Sequence, residues 1–184
     1  MSTLNVDKVA PPGSTTGITF QDDGARIDGG FIHEIDQFYL QSNDTQDGDD
    51  NILTDWVRND KTGFTKVGTG LTNNSGTFSF GITGYYRLIF VYQSNTDSNG
   101  DMTTGVLKVT TNNSTYNTVA IALNGDASGD ANQCGICMTY VNCTDVDQVK
   151  FRCQSESMDS DSHTEGNTGQ IRTSIAIERI APAQ

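Results

Sequence analysis

The sequence of 184 residues predicts an all-β protein, an antiparallel β-sandwich of the jelly-roll kind. Three observations support this fold class. Apolar residues seldom recur with the period of an amphipathic helix. Thr, Val, Ile, Tyr and Phe are dense in short stretches, as is typical of strands. Segments rich in Gly, Asn and Asp, such as NNSG, NGDASGD and TDVD, divide those stretches and favour tight turns.

The predicted strands follow one another at the short spacing that is typical of a sandwich. They cover residues 35–41, 77–81, 84–95, 103–111, 116–123, 134–143, 148–155 and 173–180, with a shorter strand near 55–60. The strand at 103–111 alternates in the ordinary way, so one face is expected in the core and the other in water. Its two side-chain sets are Val106, Lys108 and Thr110 against Leu107, Val109 and Thr111.

Two of the predicted strands are apolar on both faces, and the last strand shows a milder version. Because side chains alternate across a strand, each strand divides into an even and an odd set. In the strand 84–95 the sets are Tyr86, Leu88 and Phe90 against Tyr85, Ile89 and Val91. In the strand 134–143 they are Ile136, Met138 and Tyr140 against Val141 and Cys143.

A sheet that is apolar on both faces needs a cover for its second face. Parallel sheets are covered by helices, but this sequence predicts no helix. Another copy of the chain is the natural cover, because obligate homo-oligomer interfaces resemble a domain core cut in half. The alternative is a central strand that is sandwiched within one subunit.

Composition and charge exclude several classes of function. The net charge is −12, the isoelectric point is near 4.2, and no cluster of Lys or Arg could neutralise phosphates, which excludes a nucleic-acid-binding protein. No apolar run approaches the roughly 18 residues of a membrane-spanning helix, and the N-terminus lacks the apolar core of a secretory signal. The chain is therefore expected to be made and assembled inside a cell, without membrane insertion.

Residues 1–30 differ in kind from the knob domain that is predicted over residues 31–184. They hold two of the three prolines, several glycines and only isolated apolar residues, which are too few to bury a core. We interpret this segment as an extended attachment arm that adds strands to a partner; an inert tail is the alternative. The anchoring side chains of such an arm are Leu4, Val6, Val9, Ile18 and Phe20.

Calcium is the ion that the loops favour, and no other cofactor is expected. Segments 43–51 and 97–101 combine carboxylate and amide oxygens with Gly, as calcium loops do, although neither completes the EF-hand pattern. Plain solvated loops are the alternative interpretation. The candidate ligands are Asp47, Asp49, Asp97 and Asp101.

The remaining chemistry is sparse. Cys134 and Cys137 stand three residues apart, which places them on opposite faces of a strand and argues against a zinc or redox motif. Cys137 and Cys153 are expected either as buried thiols or as a cross-strand disulfide about a turn near Asp145. His163 has Ser and Asp beside it, but contiguous residues in an acidic loop do not make a catalytic triad. The chain is therefore not expected to be an enzyme.

Three stretches of the sequence resemble the jelly rolls of the tumour necrosis factor family and of complement globular heads. They are SGTFSFGITGYYRLIF, CTDVDQVKF and the terminal TSIAIERIAP, in the family's order, although Val146 stands where the family usually has Gly. The resemblance implies a homotrimer in which one sheet of each subunit packs about a threefold axis. The residues that it directs to this trimer interface are Tyr85, Ile89, Val91, Ile136, Met138 and Tyr140.

The opening MSTLNVDKVAPPGSTTGITF resembles the start of appendage and fibre-like proteins of marine tailed phages. This resemblance implies a structural virion protein that is assembled in the host cytoplasm, lies on the virion surface, and binds capsid or tail proteins through its arm. Capsid decoration, the role of a cement protein, is favoured because no shaft repeat joins the arm to the knob. The alternatives are a short tail or head fibre that binds a host receptor or glycan, and a cellular binding module of the complement-head type.

Overall fold

The computed structural model describes residues 8–9, 18–19, 34–96, 102–125, 131–158 and 160–184. The chain divides into two compact units, Met1–Ile32 and His33–Gln184. In the first unit, strand β1 (Lys8–Val9) pairs antiparallel with strand β2 (Ile18–Thr19). The attachment role of residues 1–30 stays a prediction. Three of its predicted anchors lie outside the described residues, namely Leu4, Val6 and Phe20.

The second unit consists of strands joined by turns and loops. Its strands are β3 (Glu34–Leu40), β4 (Asn51–Ile52), β5 (Trp56–Arg58), β6 (Leu71–Asn74), β7 (Thr77–Phe80), β8 (Gly84–Thr96), β9 (Thr103–Thr110), β10 (Asn117–Asn124), β11 (Ala131–Cys143), β12 (Lys150–Glu156), β13 (His163–Thr164) and β14 (Ser174–Ala181). All the predicted strands are present, with ends that differ by a few residues. The described residues contain no helix, and so none long and apolar enough to cross a membrane.

The strands form two antiparallel sheets, whose inner faces share one hydrophobic core. The β8 sheet has the order β11-β8-β14-β3-β5, with β13 also paired to β8. The β12 sheet has the order β10-β9-β12-β7-β6, with β4 also paired to β12. The chain crosses repeatedly from one sheet to the other, as it does in a jelly roll. The predicted antiparallel jelly-roll sandwich is confirmed.

Three of the short strands of this unit were not predicted from the sequence. β4, β6 and β13 have between two and four residues each, too few for an alternation of apolar and polar side chains to be seen. Each pairs with a strand that was predicted: β4 with β12, β6 with β7 and β13 with β8. Their extended conformation therefore comes from pairing at a sheet edge rather than from their own residues.

The turn between β6 and β7 requires a glycine. Ser75 and Gly76 have φ angles of 47° and 79°, the left-handed pair that a type I′ hairpin turn needs. The Asn73 side chain accepts a hydrogen bond from the Gly76 N–H at 3.0 Å. A Cβ at Gly76 would lie 2.3 Å from the Leu53 carbonyl oxygen, so this turn can pack against the segment before β5 only without a side chain.

Strand β9 corrects one expectation, because both of its faces are buried. Val106 and Leu107 point to opposite faces, yet neither has any exposed surface. Leu107 lies in the core, whereas on the other face Lys108 forms ion pairs with Asp50 and Glu156. The segment before β4 thus approaches the outer face of β9. The prediction that this face is open to water is wrong.

The core between the sheets is built around aromatic rings from both. Phe78 of β7 and Phe151 of β12 stack with their ring centroids 4.9 Å apart. Phe38 of β3 and Trp56 of β5 meet Phe78 edge-on from the other sheet, at 5.3 Å and 5.7 Å. The Trp56 indole N–H donates to the Leu53 carbonyl oxygen at 2.6 Å, so the one polar group of this ring is satisfied inside the core.

A buried carboxylate links the two sheets at one edge of the sandwich. Asp36 of β3 has no exposed surface and accepts hydrogen bonds from Arg58 Nε at 3.1 Å and from the Leu71 N–H at 2.9 Å. Arg58 Nη2 also donates to the Leu71 carbonyl oxygen at 2.6 Å. Since Arg58 ends β5 and Leu71 begins β6, this network joins the last strand of one sheet to the last strand of the other.

Replacing Arg58 with Met should lower the free energy of unfolding by about 3 kcal/mol, because the Asp36 carboxylate stays buried without its cation. Urea denaturation followed by Trp56 fluorescence measures this change. Lys61→Met is the matched control, since its ion-pair partner Asp60 is exposed and the loss should be much smaller. Equal losses in the two variants would contradict a structural role for the Asp36 network.

Candidate assembly surface

Strand β8 alternates strictly between the core and the opposite face of its sheet. Its even side chains are fully buried, including Tyr86, Leu88 and Phe90. Its odd side chains are half-buried on the other face, including Tyr85, Ile89 and Val91. The side-chain parities in the structure are those expected from the sequence.

The edge strand β11 continues the apolar surface of β8. Ile136, Met138 and Tyr140 are 66%, 49% and 49% exposed. Ile136 stands opposite Val91 in the strand pair, and Met138 stands opposite Ile89. On the core side, the same strand buries Val141 and Cys143. We call the combined surface the assembly face; it consists of Tyr85, Ile89, Val91, Ile136, Met138 and Tyr140.

The six residues of the assembly face are the ones predicted at a trimer interface, and the structure brings them together. The rings of Tyr85 and Tyr140 stack at one end of the face, with centroids 6.1 Å apart. Ala176 of β14, which stands opposite Ile89, extends the apolar surface to a third strand. The face is contiguous within one chain, while its packing on other copies stays a prediction.

Two ion pairs lie on and beside the assembly face. Arg87 of β8 forms an ion pair with Glu178 of β14, which is its direct partner across the two strands. Next to β8, the buried Glu165 forms an ion pair with Arg172, and its Oε1 lies 3.3 Å from His163 Nε2. Although the chain has a net charge of −12, each of these carboxylates on and beside the assembly face is balanced by an arginine.

Strand β10 carries a second apolar surface that sequence reasoning missed. Val119, Ile121 and Leu123 are 43%, 52% and 62% exposed, and we call them the β10 stripe. The inward position between them is taken by the small Ala122, because β11 passes close by: a Cβ at Gly135 would lie 3.1 Å from the Ala122 Cβ. The signal in the sequence is the alternation of large residues with Ala in VAIAL, which places the larger side chains outside.

In the acidic loop 43–51, the two candidate calcium-binding residues take part in hydrogen bonds within the protein. The Asp47 carbonyl oxygen accepts a hydrogen bond from the Asn51 side chain at 3.1 Å, and the Asp49 carboxylate accepts one from the Ser157 N–H at 2.8 Å. Among the residues that the structure describes, no three acidic, His or Cys side chains are grouped to hold a metal ion. Calcium binding stays a prediction. Two of its candidate ligands lie outside the described residues, namely Asp97 and Asp101.

All four cysteines are free thiols, and three of them are buried. Cys137 lies in β11 and Cys153 in β12, which belong to different sheets, so the two are not partners across a hairpin about Asp145, and both are free thiols. Burial raises the pKa of the Cys137 thiol and that of Cys143 to about 11, and it also raises the pKa of Cys153. These thiols therefore stay protonated near neutral pH and pack as small apolar groups.

His163 does not form a catalytic pair with its neighbouring serine. Its Nε2 faces Glu165 Oε1, while the Ser162 hydroxyl is buried without a hydrogen-bond partner. Nucleophilic catalysis needs the hydroxyl within hydrogen-bond reach of a base. Within the described part of this loop, the nearest candidate pair therefore lacks the required geometry.

Comparison with solved structures identifies the class of fold. The protein is similar to Eiger TNF from S. frugiperda, with a TM-score of 0.61 at 17% identity over 84% of this chain and 96% of that chain. It is also similar to murine APRIL at pH 5.0, with a TM-score of 0.57 at 9% identity over 80% of this chain and 99% of that chain. No family model matches the sequence, and no curated protein matches it.

These neighbours place the knob among the jelly rolls of the tumour necrosis factor type, so the resemblance found in the sequence is confirmed at the level of the fold. At such low identities the likeness establishes the fold alone.

At pH 8, a thiol reagent such as DTNB should modify Cys134 alone in the native protein, and all four cysteines after unfolding in urea. Cys134 is exposed, whereas burial and a raised pKa protect the other three thiols. Counting the released thionitrobenzoate against time measures both populations. The variant Cys134→Ser is the control and should show no fast phase; rapid labelling of a second thiol would contradict the burial.

Proposed function

We propose that this protein is a non-enzymatic structural protein that assembles as a trimer through its assembly face. The observation that carries the proposal is the exposure of Ile136, Met138 and Tyr140 on the sheet face opposite the core. A contiguous exposed apolar patch in a soluble protein marks an interaction site. The trimeric state is supported by the resemblance of the sequence to a family of trimeric jelly rolls.

The charge distribution supports another copy of the chain as the partner. Two acidic chains repel each other wherever carboxylates are unpaired. At the assembly face, Glu178 is paired with Arg87, and beside it Glu165 is paired with Arg172. Two copies can therefore approach through this face without bringing isolated negative charges together.

The β10 stripe supports a closed ring of copies. A ring of three subunits joins two different surfaces at every interface, because each copy packs one surface on another surface of the next copy. The β10 stripe and the assembly face are two distinct apolar surfaces, and they lie on the neighbouring edge strands β10 and β11. One chain thus offers both surfaces that such an interface requires.

The proposed setting is the surface of a phage particle that is assembled in the host cytoplasm. The sequence of residues 1–30 supports it, because the opening resembles that of marine phage appendage proteins. The arm would attach the trimer to capsid or tail proteins, and capsid decoration is preferred over a receptor- or glycan-binding fibre because the chain has no shaft repeat. The acidic knob would then face the solution.

Replacing Ile136 or Met138 with Asp should convert the trimer to monomer. Each change would place an unpaired charge in the interface and destabilise assembly by about 3 kcal/mol or more. Sedimentation velocity at micromolar concentration measures the outcome. Ile82→Asp is the control, because Ile82 is 37% exposed but lies in the turn between β7 and β8, outside both the assembly face and the β10 stripe. An intact trimer in the Ile136 and Met138 variants would overturn the assignment of the face.

Deleting residues 1–30 should leave a soluble, folded trimer that no longer enters virions. The knob keeps every residue of the assembly face, because all of them lie beyond residue 30. Sedimentation of the truncated protein tests the first part, and its occupancy on purified particles tests the second. Full occupancy without the arm would show that a surface of the knob attaches the protein instead.

A further inference from the structure

The assembly face contains one ion pair among apolar side chains, that of Arg87 with Glu178. Arg87 stands opposite Glu178 on one side and opposite Tyr140 on the other. The next positions on the same face are the apolar Ile89 of β8 and Ala176 of β14. In the single chain the Arg87 and Glu178 side chains are 36% and 24% exposed, so water still reaches both charges.

We infer that other copies of the chain enclose the Arg87–Glu178 pair, and that this pair selects the arrangement in which the copies pack. The inference rests on the proposed assembly through the same face. Apolar attraction has no direction, so the apolar side chains alone would tolerate several packing arrangements. An enclosed ion pair tolerates only those arrangements that keep both charges together and hydrogen-bonded.

The occupant of the face is a second copy of this chain. Three ion pairs on or beside the face are formed within one subunit: Glu178 with Arg87, Glu165 with Arg172, and Asp60 with Lys61 next to the Tyr39 ring. Arg179 of β14 donates to the Thr83 carbonyl oxygen of the same subunit at 3.1 Å. A strongly charged partner would therefore find few groups of opposite charge to pair with. A copy of the same face and of the uncharged β10 stripe meets this requirement.

The test compares single and double substitutions in the full-length protein. Arg87→Met leaves the Glu178 carboxylate without its cation. Glu178→Gln leaves the Arg87 guanidinium without its anion. Arg87→Met combined with Glu178→Met removes the pair and leaves an apolar face. The control, Lys108→Met with Glu156→Met, removes an ion pair of the β12 sheet away from the assembly face, at a lysine that is only 14% exposed and whose second partner, Asp50, lies in water. Arg87→Lys keeps the charge and shows whether position 87 tolerates substitution.

Sedimentation equilibrium gives the concentration at which half of the trimer dissociates, and native mass spectrometry gives the oligomers present. We expect each single variant to raise that concentration by about tenfold or more, while Arg87→Lys stays near the wild-type value. The double variant should associate as tightly as the wild type but form dimers and tetramers beside trimers. The control pair should form trimers only.

Wild-type affinity in Arg87→Met and Glu178→Gln would show that the pair stays in water, and would overturn the inference. A double variant that forms trimers alone would also overturn it, because the apolar face would then suffice to select the arrangement. A wild-type protein that sediments as a monomer would overturn the proposed assembly itself. Circular dichroism of each variant separates these outcomes from a failure to fold.

Discussion

The need to bury strand β8 on both of its faces governs the structure. The core face is covered by the β12 sheet, which packs Phe78, Phe151 and their neighbours against the even residues of β8. The opposite face has no such cover among the described residues, because both sheets are already packed on each other and no helix is present. The fold thus covers one face of the strand, and in the proposed trimer other copies of the chain cover the opposite face. The proposed quaternary state rests on the same alternation of side chains that builds the core.

The buried charged side chains of this protein form contacts that fix one strand relative to another. Asp36 and Arg58 hold the last strands of the two sheets together. Glu34 of β3 accepts a hydrogen bond at 2.8 Å from the Tyr86 hydroxyl, whose pKa burial raises above its usual value, so this contact persists well beyond neutral pH. Such contacts are directional, whereas the aromatic core is not. The apolar residues supply most of the driving force, and the polar contacts define the register.

Long alternating strands were predictable from the sequence. The shortest strands, and the burial of the outer face of β9 beneath another segment, were not. The parities of β8 and β11 could be derived because two independent apolar sets repeat over many residues. β4, β6 and β13 are too short for a period, and the burial of Val106 depends on the distant Asp50 segment rather than on β9 itself. The separation of Cys137 and Cys153 depends on topology, which spacing alone does not specify. The apolar outer face of β8 and β11 was thus foreseen, while the β10 stripe was missed, because in this strand the large apolar side chains are exposed and the small Ala122 is buried.

The position of β11 at the end of its sheet has a consequence for how the protein must be produced. Along its 13 residues this strand has one neighbour in the sheet, so one row of its backbone groups ends the ladder. A folded but solitary subunit presents this edge together with Ile136 and Met138, an arrangement that favours stacking of strands into aggregates. Association with other copies would then compete with aggregation for the solitary subunit. Rapid synthesis of many copies close together favours association, and slow or dilute production favours aggregation.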